Sequence, residues 1–181
     1  MPTEKRWVVK PQGDPATAAM LAAALRISPV LANLLVQRGI DTVEKADKFF
    51  KPNLADLHDP FLMKDMDKAV ERVERAVRDH EKIMVYGDYD VDGCTAVALV
   101  YKFLRQIGHK NLMFYIPDRY TEGYGISVKG IDLAARKGVG LIIALDCGIK
   151  ATEKVVYAKT KGVDFIICDH HLPAEEIPRA V

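Results

Sequence analysis

Three short clusters carry the chemical interest of this 181-residue chain: Gly87-Asp88-Tyr89-Asp90-Val91-Asp92-Gly93, Asp146-Cys147-Gly148 and Asp169-His170-His171. They place five aspartates and two histidines within 84 positions. Several carboxylates cannot all stay ionised in one small cleft unless something positive compensates them. A divalent cation does so. Carboxylates with one or two imidazoles suit Mn²⁺ or Mg²⁺. Zn²⁺ is less favoured, because Cys94, Cys147 and Cys168 form no CxxC or zinc-ribbon spacing. The ligands suffice for two ions. That suggests ions about 3.5–4 Å apart, bridged by a shared carboxylate, one activating water and both stabilising an in-line phosphoryl displacement.

The first cluster alone is ambiguous. Asp-x-Asp-x-Asp-Gly also opens an EF-hand calcium loop, but the twelfth position here is Leu99 rather than Glu, and a strand precedes it rather than a helix. A strand followed by Asp-x-Asp also serves phosphatases that form an aspartyl-phosphate; those need a later acidic pair and a lysine, and Asp169-His170-His171 is not that pair. Aspartates commonly cap helices and turns, and Asp92 is placed to cap the helix after it. Capping does not explain three clusters at three strand ends.

Those strand ends follow from the pattern of elements. Short apolar runs at 82–86, 111–116, 141–145 and 164–168 alternate with helical stretches at 95–106, 127–137 and 152–161, the last two stopped by Gly138 and Gly162. Strand-helix alternation of this kind builds right-handed βαβ units and a parallel sheet. The strands are continuously apolar, as expected when helices cover both faces. The predicted fold class is therefore α/β: a Rossmann-like parallel sheet with helices on both faces, preceded by a small helical segment. The predicted boundaries are 1–81 for the helical segment and 82–181 for the sheet domain. In such sheets ligands bind at the carboxyl ends of the strands, where all three clusters fall. Within the leading segment, Ser28-Pro29 and Thr42 read as helix starts, Gly39 and Pro52 as stops, and residues 51–62 as a loop. Asp65 is expected to cap a helix whose Met66, Ala69, Val70, Val73, Ala76 and Val77 define one buried face.

Composition sets outer bounds. With 49% apolar and 28% charged residues the chain reads as an ordinary globular protein, which excludes wholesale disorder and low complexity. A chain this long hides roughly 70% of its extended surface and needs no disulfides. The 26 basic and 25 acidic residues divide almost evenly between residues 1–81 and 82–181, so no bulk positive charge advertises nucleic acid. Residues 1–10 are charged and lack the apolar core of a signal peptide, and no apolar run is long enough to span a membrane. A reducing cytoplasm is the default expectation.

The three clusters together resemble the first three motifs of the DHH phosphoesterase superfamily, which takes its name from the third. Ile116-Pro117-Asp118-Arg119-Tyr120-Thr121-Glu122-Gly123-Tyr124-Gly125 resembles the segment between motifs one and two in the superfamily's branch of single-strand-specific 5′→3′ DNA exonucleases. Residues 34–40, 49–52 and 57–66 are similar to that branch's leading helical segment, so the resemblance covers nearly the whole chain. It implies that Asp90 and Asp92 each favour a different metal ion, that Asp146 bridges the two, and that His170 binds the second. Asp88 would be a ligand or lie just beside the metals. His171 would touch the scissile phosphate or its water, and Asp169 would orient a histidine. Metal binding needs neutral imidazole, so activity should fall in acid.

Arg119 is the candidate phosphate contact, because its planar fork pairs with phosphate oxygens; the alternative is a surface ion pair. Tyr124 is placed to stack on a base or simply to pack the loop. Gly123 and Gly125 would let that loop approach substrate closely. The implied substrate is single-stranded DNA, hydrolysed from its 5′ end to mononucleotides in DNA repair and recombination. The implied partners of a full-length parent are a single-strand-binding protein and a helicase. Other superfamily activities, on short oligonucleotides, cyclic dinucleotides or pyrophosphate, fit the leading helices and the 119–125 loop less well. The three cysteines are expected to be small buried residues beside the site, and His58, His80 and His109 have no neighbours that suggest ligation. Tyr86 stands where many relatives place a histidine that helps hold the first ion, so a weaker first ion is expected. The superfamily's fourth motif, its substrate-gripping second domain and this branch's oligonucleotide-binding barrel do not occur within the 181 residues. The expectation is an N-terminal catalytic portion with little activity alone, whose grip on DNA lies largely elsewhere.

Overall fold

The computed structural model describes residues 6–181; residues 1–5, the start of the stretch read above as no signal peptide, lie outside the described residues. Contacts divide the chain into two compact units between Asp59 and Pro60. The first holds three helices, α1 (Pro15–Leu25), α2 (Pro29–Val36) and α3 (Val43–Phe50). Each starts where a side-chain oxygen takes up an orphan backbone N–H: Asp14 accepts from Thr17 N at 2.8 Å, Ser28 from Leu31 N at 3.3 Å and Thr42 from Lys45 N at 3.2 Å. Leu21, Ala32, Leu35 and Ala46 form the core of this unit. The predicted loop at 51–62 contains two 3₁₀ turns, Leu54–Asp56 and Pro60–Leu62.

The second unit contains α4 (Met66–Arg78), β1 (Lys82–Gly87), α5 (Val91–Gln106), β2 (Leu112–Tyr115), α6 (Val128–Arg136), β3 (Val139–Leu145), α7 (Thr152–Thr160) and β4 (Asp164–Cys168). The four strands are parallel in the order β2-β1-β3-β4. Alternate residues of each strand serve opposite layers. Met84, Tyr86, Ile142, Ala144 and Phe165 pack with Ile131, Ala134, Val155 and Ala158 of α6 and α7. Ile83, Val85, Leu141, Ile143 and Ile166 pack with Ala76, Val97 and Leu104 of α4 and α5. Both faces are therefore apolar, as the unbroken strand sequences require. No helix among the described residues is long and apolar enough to cross a membrane.

Three local details differ from the sequence reading. Helix α4, grouped above with the leading helices, packs on the sheet through Ala69, Val73 and Val77 as well as Ala76; a 3.6-residue period announces a buried face but not the surface that buries it. Arg72, on that buried face, is only 4% exposed. Its guanidinium pairs with Glu81 at 2.7 Å and Asp164 at 2.8 Å, which ties α4 to the residue before β1 and to the start of β4. Asp65 does not cap α4: it sits at φ 56° and its carboxylate pairs with Lys64 and Lys68. Helix α5 begins four residues earlier than predicted, and its cap is Asp90 rather than Asp92. One Asp90 oxygen accepts from both Asp92 N and Gly93 N at 3.0 Å, which continues the helix back to the strand end.

That first turn of α5 lies hard against the end of β1. A Cβ on Gly93 would stand 2.6 Å from both the backbone N and O of Asp88. Main chain cannot swing aside as a side-chain tip can. Gly93→Ala is therefore expected to destabilise the chain by about 2 kcal/mol, even though alanine is the better helix former by about 1 kcal/mol; a urea titration followed by circular dichroism measures the sign. By the same measurement, Arg72→Ala should cost about 2 kcal/mol. It leaves Glu81 and Asp164 without their shared cation and removes a buried side chain, whereas Lys64→Ala on the exposed surface should change stability by less than about 0.5 kcal/mol.

Candidate active site

The three acidic clusters sit at the carboxyl ends of three neighbouring strands: Asp88 follows β1, Asp146 follows β3 and Asp169 follows β4. From β1 the chain crosses to β2 on one side, and β3 then returns to pair with β1 on the other. The crevice between β1 and β3 is thus the topological switch point, where open parallel sheets bind ligands.

Asp146 Oδ1 lies 3.1 Å from His170 Nε2, and potential ligand atoms of Asp146, His170 and His171 all fall within 4.8 Å of one another. Asp146 itself adopts a left-handed backbone with φ 59° while its N–H still bonds to Cys168 O at 2.8 Å. This conformation costs a non-glycine residue roughly 1–2 kcal/mol, and aspartate tolerates it better than most. It lets the chain leave the sheet abruptly with the carboxylate over the strand end. The Asp169 side chain is almost wholly enclosed. Its Oδ1 accepts from His171 N at 3.1 Å and faces His171 Nδ1 at 2.7 Å, while Oδ2 accepts from Ile149 N at 2.9 Å. Burial alone would raise the Asp169 carboxyl, but these hydrogen bonds outweigh it and hold it below the usual range. Its hydrogen bond in turn raises the His171 imidazole. The implied orientation of a histidine by Asp169 thus has a partner in the structure, and it is His171.

Asp88 is fully buried. Its Oδ1 accepts from Tyr89 N at 2.7 Å, but Oδ2 has no hydrogen-bond partner. Burial, with the neighbouring Asp90 charge, pushes this carboxyl above its ordinary value. Asp90 spends one oxygen on the α5 cap, and Asp92 stands exposed two residues on. These three aspartates lie outside the 4.8 Å group around Asp146, yet their charges reach it. The Cys147 thiol is pushed up to about 12 by burial and by Asp88, Asp169, Asp146 and Asp90 together. One buried sulfur beside Asp146 therefore feels carboxylates from all three clusters. Cys147 is buried as expected, whereas Cys94 and Cys168 are exposed: each borders a strand or helix end, where the apolar cover stops.

Residues 117–127 form the wall facing this edge. Glu122 knots the segment: its carboxylate accepts from Tyr115 OH at 2.7 Å, Ser127 Oγ at 2.6 Å and Asp118 N at 3.0 Å. Burial would raise Glu122, but the bonds from Asp118, Ser127 and Tyr115 keep it below its usual range. Tyr86, fully buried, donates to Gly125 O at 3.0 Å and accepts from Ser127 N at 2.9 Å. It is therefore spent on holding the wall and not turned to the aspartates. Gly123 and Gly125 both adopt positive φ, which permits the tight path around Tyr124. The Tyr124 hydroxyl lies 3.4 Å from both Asp146 O and His171 Nε2. Burial and the charges of Asp88, Asp146 and Asp90 raise it to about 12. A cavity of about 550 Å³ opens beside His171, between residues 124–126 and 148–154.

Arg119 forms no ion pair among the described residues; its guanidinium carbon lies 4.6 Å over the Tyr89 ring. Tyr89 meets Tyr124 edge-on at 6.0 Å, and Tyr124 meets His171 edge-on at 6.1 Å. A row of rings thus runs from Arg119 to the histidines. Tyr89 was not singled out by the sequence, although it stands inside the first cluster; its only local signal is an aromatic between two aspartates, and its partners Arg119 and Tyr124 are 30 and 35 positions away.

The model of the DHH family, N-terminal domain, matches residues 82–181. The chain is 41% identical over 176 residues to the single-stranded-DNA-specific exonuclease RecJ of Bacillus subtilis (strain 168), a match that covers 97% of this chain and 22% of that protein. It is 34% identical to the RecJ of Escherichia coli (strain K12), over 85% of this chain and 26% of the relative. The chain therefore spans about a quarter of the length of these relatives. Among solved structures, an exonuclease RecJ bound to manganese superposes with a TM-score of 0.60 at 31% identity, over 65% of this chain and 30% of that one. RecJ from Thermus thermophilus in complex with Mn²⁺ superposes with a TM-score of 0.66 at 27% identity, over 93% of this chain and 23% of that one. With its four-stranded parallel sheet and its acidic clusters at three adjoining strand ends, the chain belongs to the DHH family.

Proposed function

We propose that this chain is the N-terminal catalytic portion of a metal-dependent phosphodiesterase that degrades single-stranded DNA from the 5′ end, within a longer, cytoplasmic protein of DNA repair and recombination. The observation that carries this reading is the placement of Asp88, Asp146 and Asp169 at three adjoining strand ends, with Asp146, His170 and His171 close together and the Asp90 charge within reach. The likeness to RecJ over nearly the whole chain supports it. A single-strand-binding protein and a helicase are the partners this role calls for.

The donor set fits a divalent metal. Asp88 Oδ2 is buried without a partner, and Asp146, His170 and His171 offer carboxylate and imidazole atoms within 4.8 Å. Mn²⁺ or Mg²⁺ suits such oxygen-rich sites. Asp90 and Asp92 would each serve a different ion, Asp146 both, and His170 the second, with Asp88 completing or supporting the set. Two such ions, when bound, neutralise the carboxylates, supply activated water and stabilise the charge of the displaced phosphoryl group. The protein's own work is placement. Asp169 fixes the His171 ring through Nδ1, which leaves Nε2 facing the crevice for the phosphate or its water. Tyr124 lines the same opening for a base, and Arg119 on the rim presents a planar fork for a phosphate oxygen. Tyr86 is occupied by the wall, so in this reading the first ion relies on aspartates alone.

In the longer protein, Mn²⁺-dependent degradation of long single strands should fall by on the order of 10³ on Asp146→Ala, as measured by nucleotide release. Unchanged activity would remove Asp146 from the site, and faster cleavage of dinucleotides than of long strands would redirect the reading to the short-substrate branch. Metal binding by the chain itself should weaken as pH falls from about 8 to about 6. A ligating imidazole must be neutral, so protons compete with metal for it. Isothermal titration with Mn²⁺ at several pH values gives the slope, which should be flatter in His170→Gln.

A further inference from the structure

We propose that Tyr89 is a positioning residue for substrate phosphate: its ring is the platform that holds the Arg119 guanidinium over it at the rim of the crevice. This rests on the reading above, in which Arg119 meets phosphate. Arginine carries several rotatable bonds, and an exposed one samples many rotamers unless something restrains it. Here the restraint is one ring. The guanidinium carbon lies 4.6 Å from the Tyr89 centroid, well inside cation–π range. A carboxylate in the same place would neutralise Arg119 and occupy its fork. A ring face holds the cation by its flat side and leaves the N–H edge free for phosphate oxygens.

The platform is itself fixed from two sides. The Tyr89 backbone N–H donates to buried Asp88 at 2.7 Å, and the ring abuts Tyr124 edge-on at 6.0 Å. Tyr124 in turn belongs to the wall knotted by Glu122 and Tyr86. The side chain between Asp88 and Asp90 therefore couples the first metal-directed cluster to the phosphate-directed loop, so the register between the two is set by packing within the domain. Tyr89 makes no side-chain hydrogen bond among the described residues, so the ring face rather than the hydroxyl is the functional part.

The test uses the full-length protein and a single-stranded oligonucleotide, with KM and kcat measured separately and binding measured by fluorescence anisotropy in Ca²⁺. Tyr89→Leu should raise both KM and the dissociation constant about fivefold, with kcat within twofold of the parent. Tyr89→Phe should match the parent, because the ring face survives. Arg119→Ala should weaken binding at least as much, and adding Tyr89→Leu to it should cost nothing further. An additive double variant, a Tyr89→Leu that binds normally, or a Tyr89→Phe as defective as Leu each overturns the proposal. Should Arg119→Ala bind normally, the phosphate role of Arg119 and this proposal fall together. Loss of the exonuclease reading would show separately, as an Asp146→Ala protein with full activity.

Discussion

Four carboxylates, those of Asp88, Asp90, Asp146 and Asp169, bear on one buried sulfur at the end of a small parallel sheet and repel one another, and much of the surrounding structure is arranged to tolerate that. The protein answers largely with backbone N–H groups. Asp90 takes two from the first turn of α5, Asp169 takes one from Ile149 and one from His171, and Asp88 takes one from Tyr89. Such bonds offset carboxylate charge without placing a lysine or arginine in the cluster. The compensation is incomplete at Asp88, whose second oxygen stays buried and unpaired. That deficit is the structural reason to look for a metal here.

The same economy shapes the elements. A helix can supply orphan N–H groups to Asp90 only if it starts immediately at the strand end, and Gly93 makes that start possible by letting main chain rest on main chain. The helix dipole then places partial positive charge near the acidic cluster. At the far end of the sheet Arg72 ties α4, the residue before β1 and the start of β4 together, while at the site end the wall of residues 117–127 is pinned by Glu122 and Tyr86. One end of the sheet is thus cross-linked by an ion-pair triad and the other by a hydroxyl network, and the crevice lies next to the second.

Tyr86 and Tyr89 show how one short stretch serves two tasks. Side chains alternate along β1, so Tyr86 points into the layer with α6 and meets Gly125 and Ser127. Beyond the strand the alternation ends, and Tyr89 emerges at the rim under Arg119. Both tyrosines act on the same loop, one from inside and one from outside. The loop that carries Arg119 and Tyr124 is in this way positioned by residues flanking Asp88.

The local patterns were legible in the amino-acid sequence because each has a short-range cause. Apolar runs followed by amphipathic stretches specify strands and helices, capping residues mark the starts of α2 and α3, and Asp-rich turns after apolar runs place chemistry at strand ends. What folding alone decided is long-range. The burial of α4 on the sheet, the diversion of Tyr86 into the wall and the seating of Arg119 over Tyr89 all depend on partners tens of residues away. A sequence states which side chains are present and how they repeat; which of two apolar faces meet, or which aromatic ring lies beneath a cation, is set by packing in three dimensions.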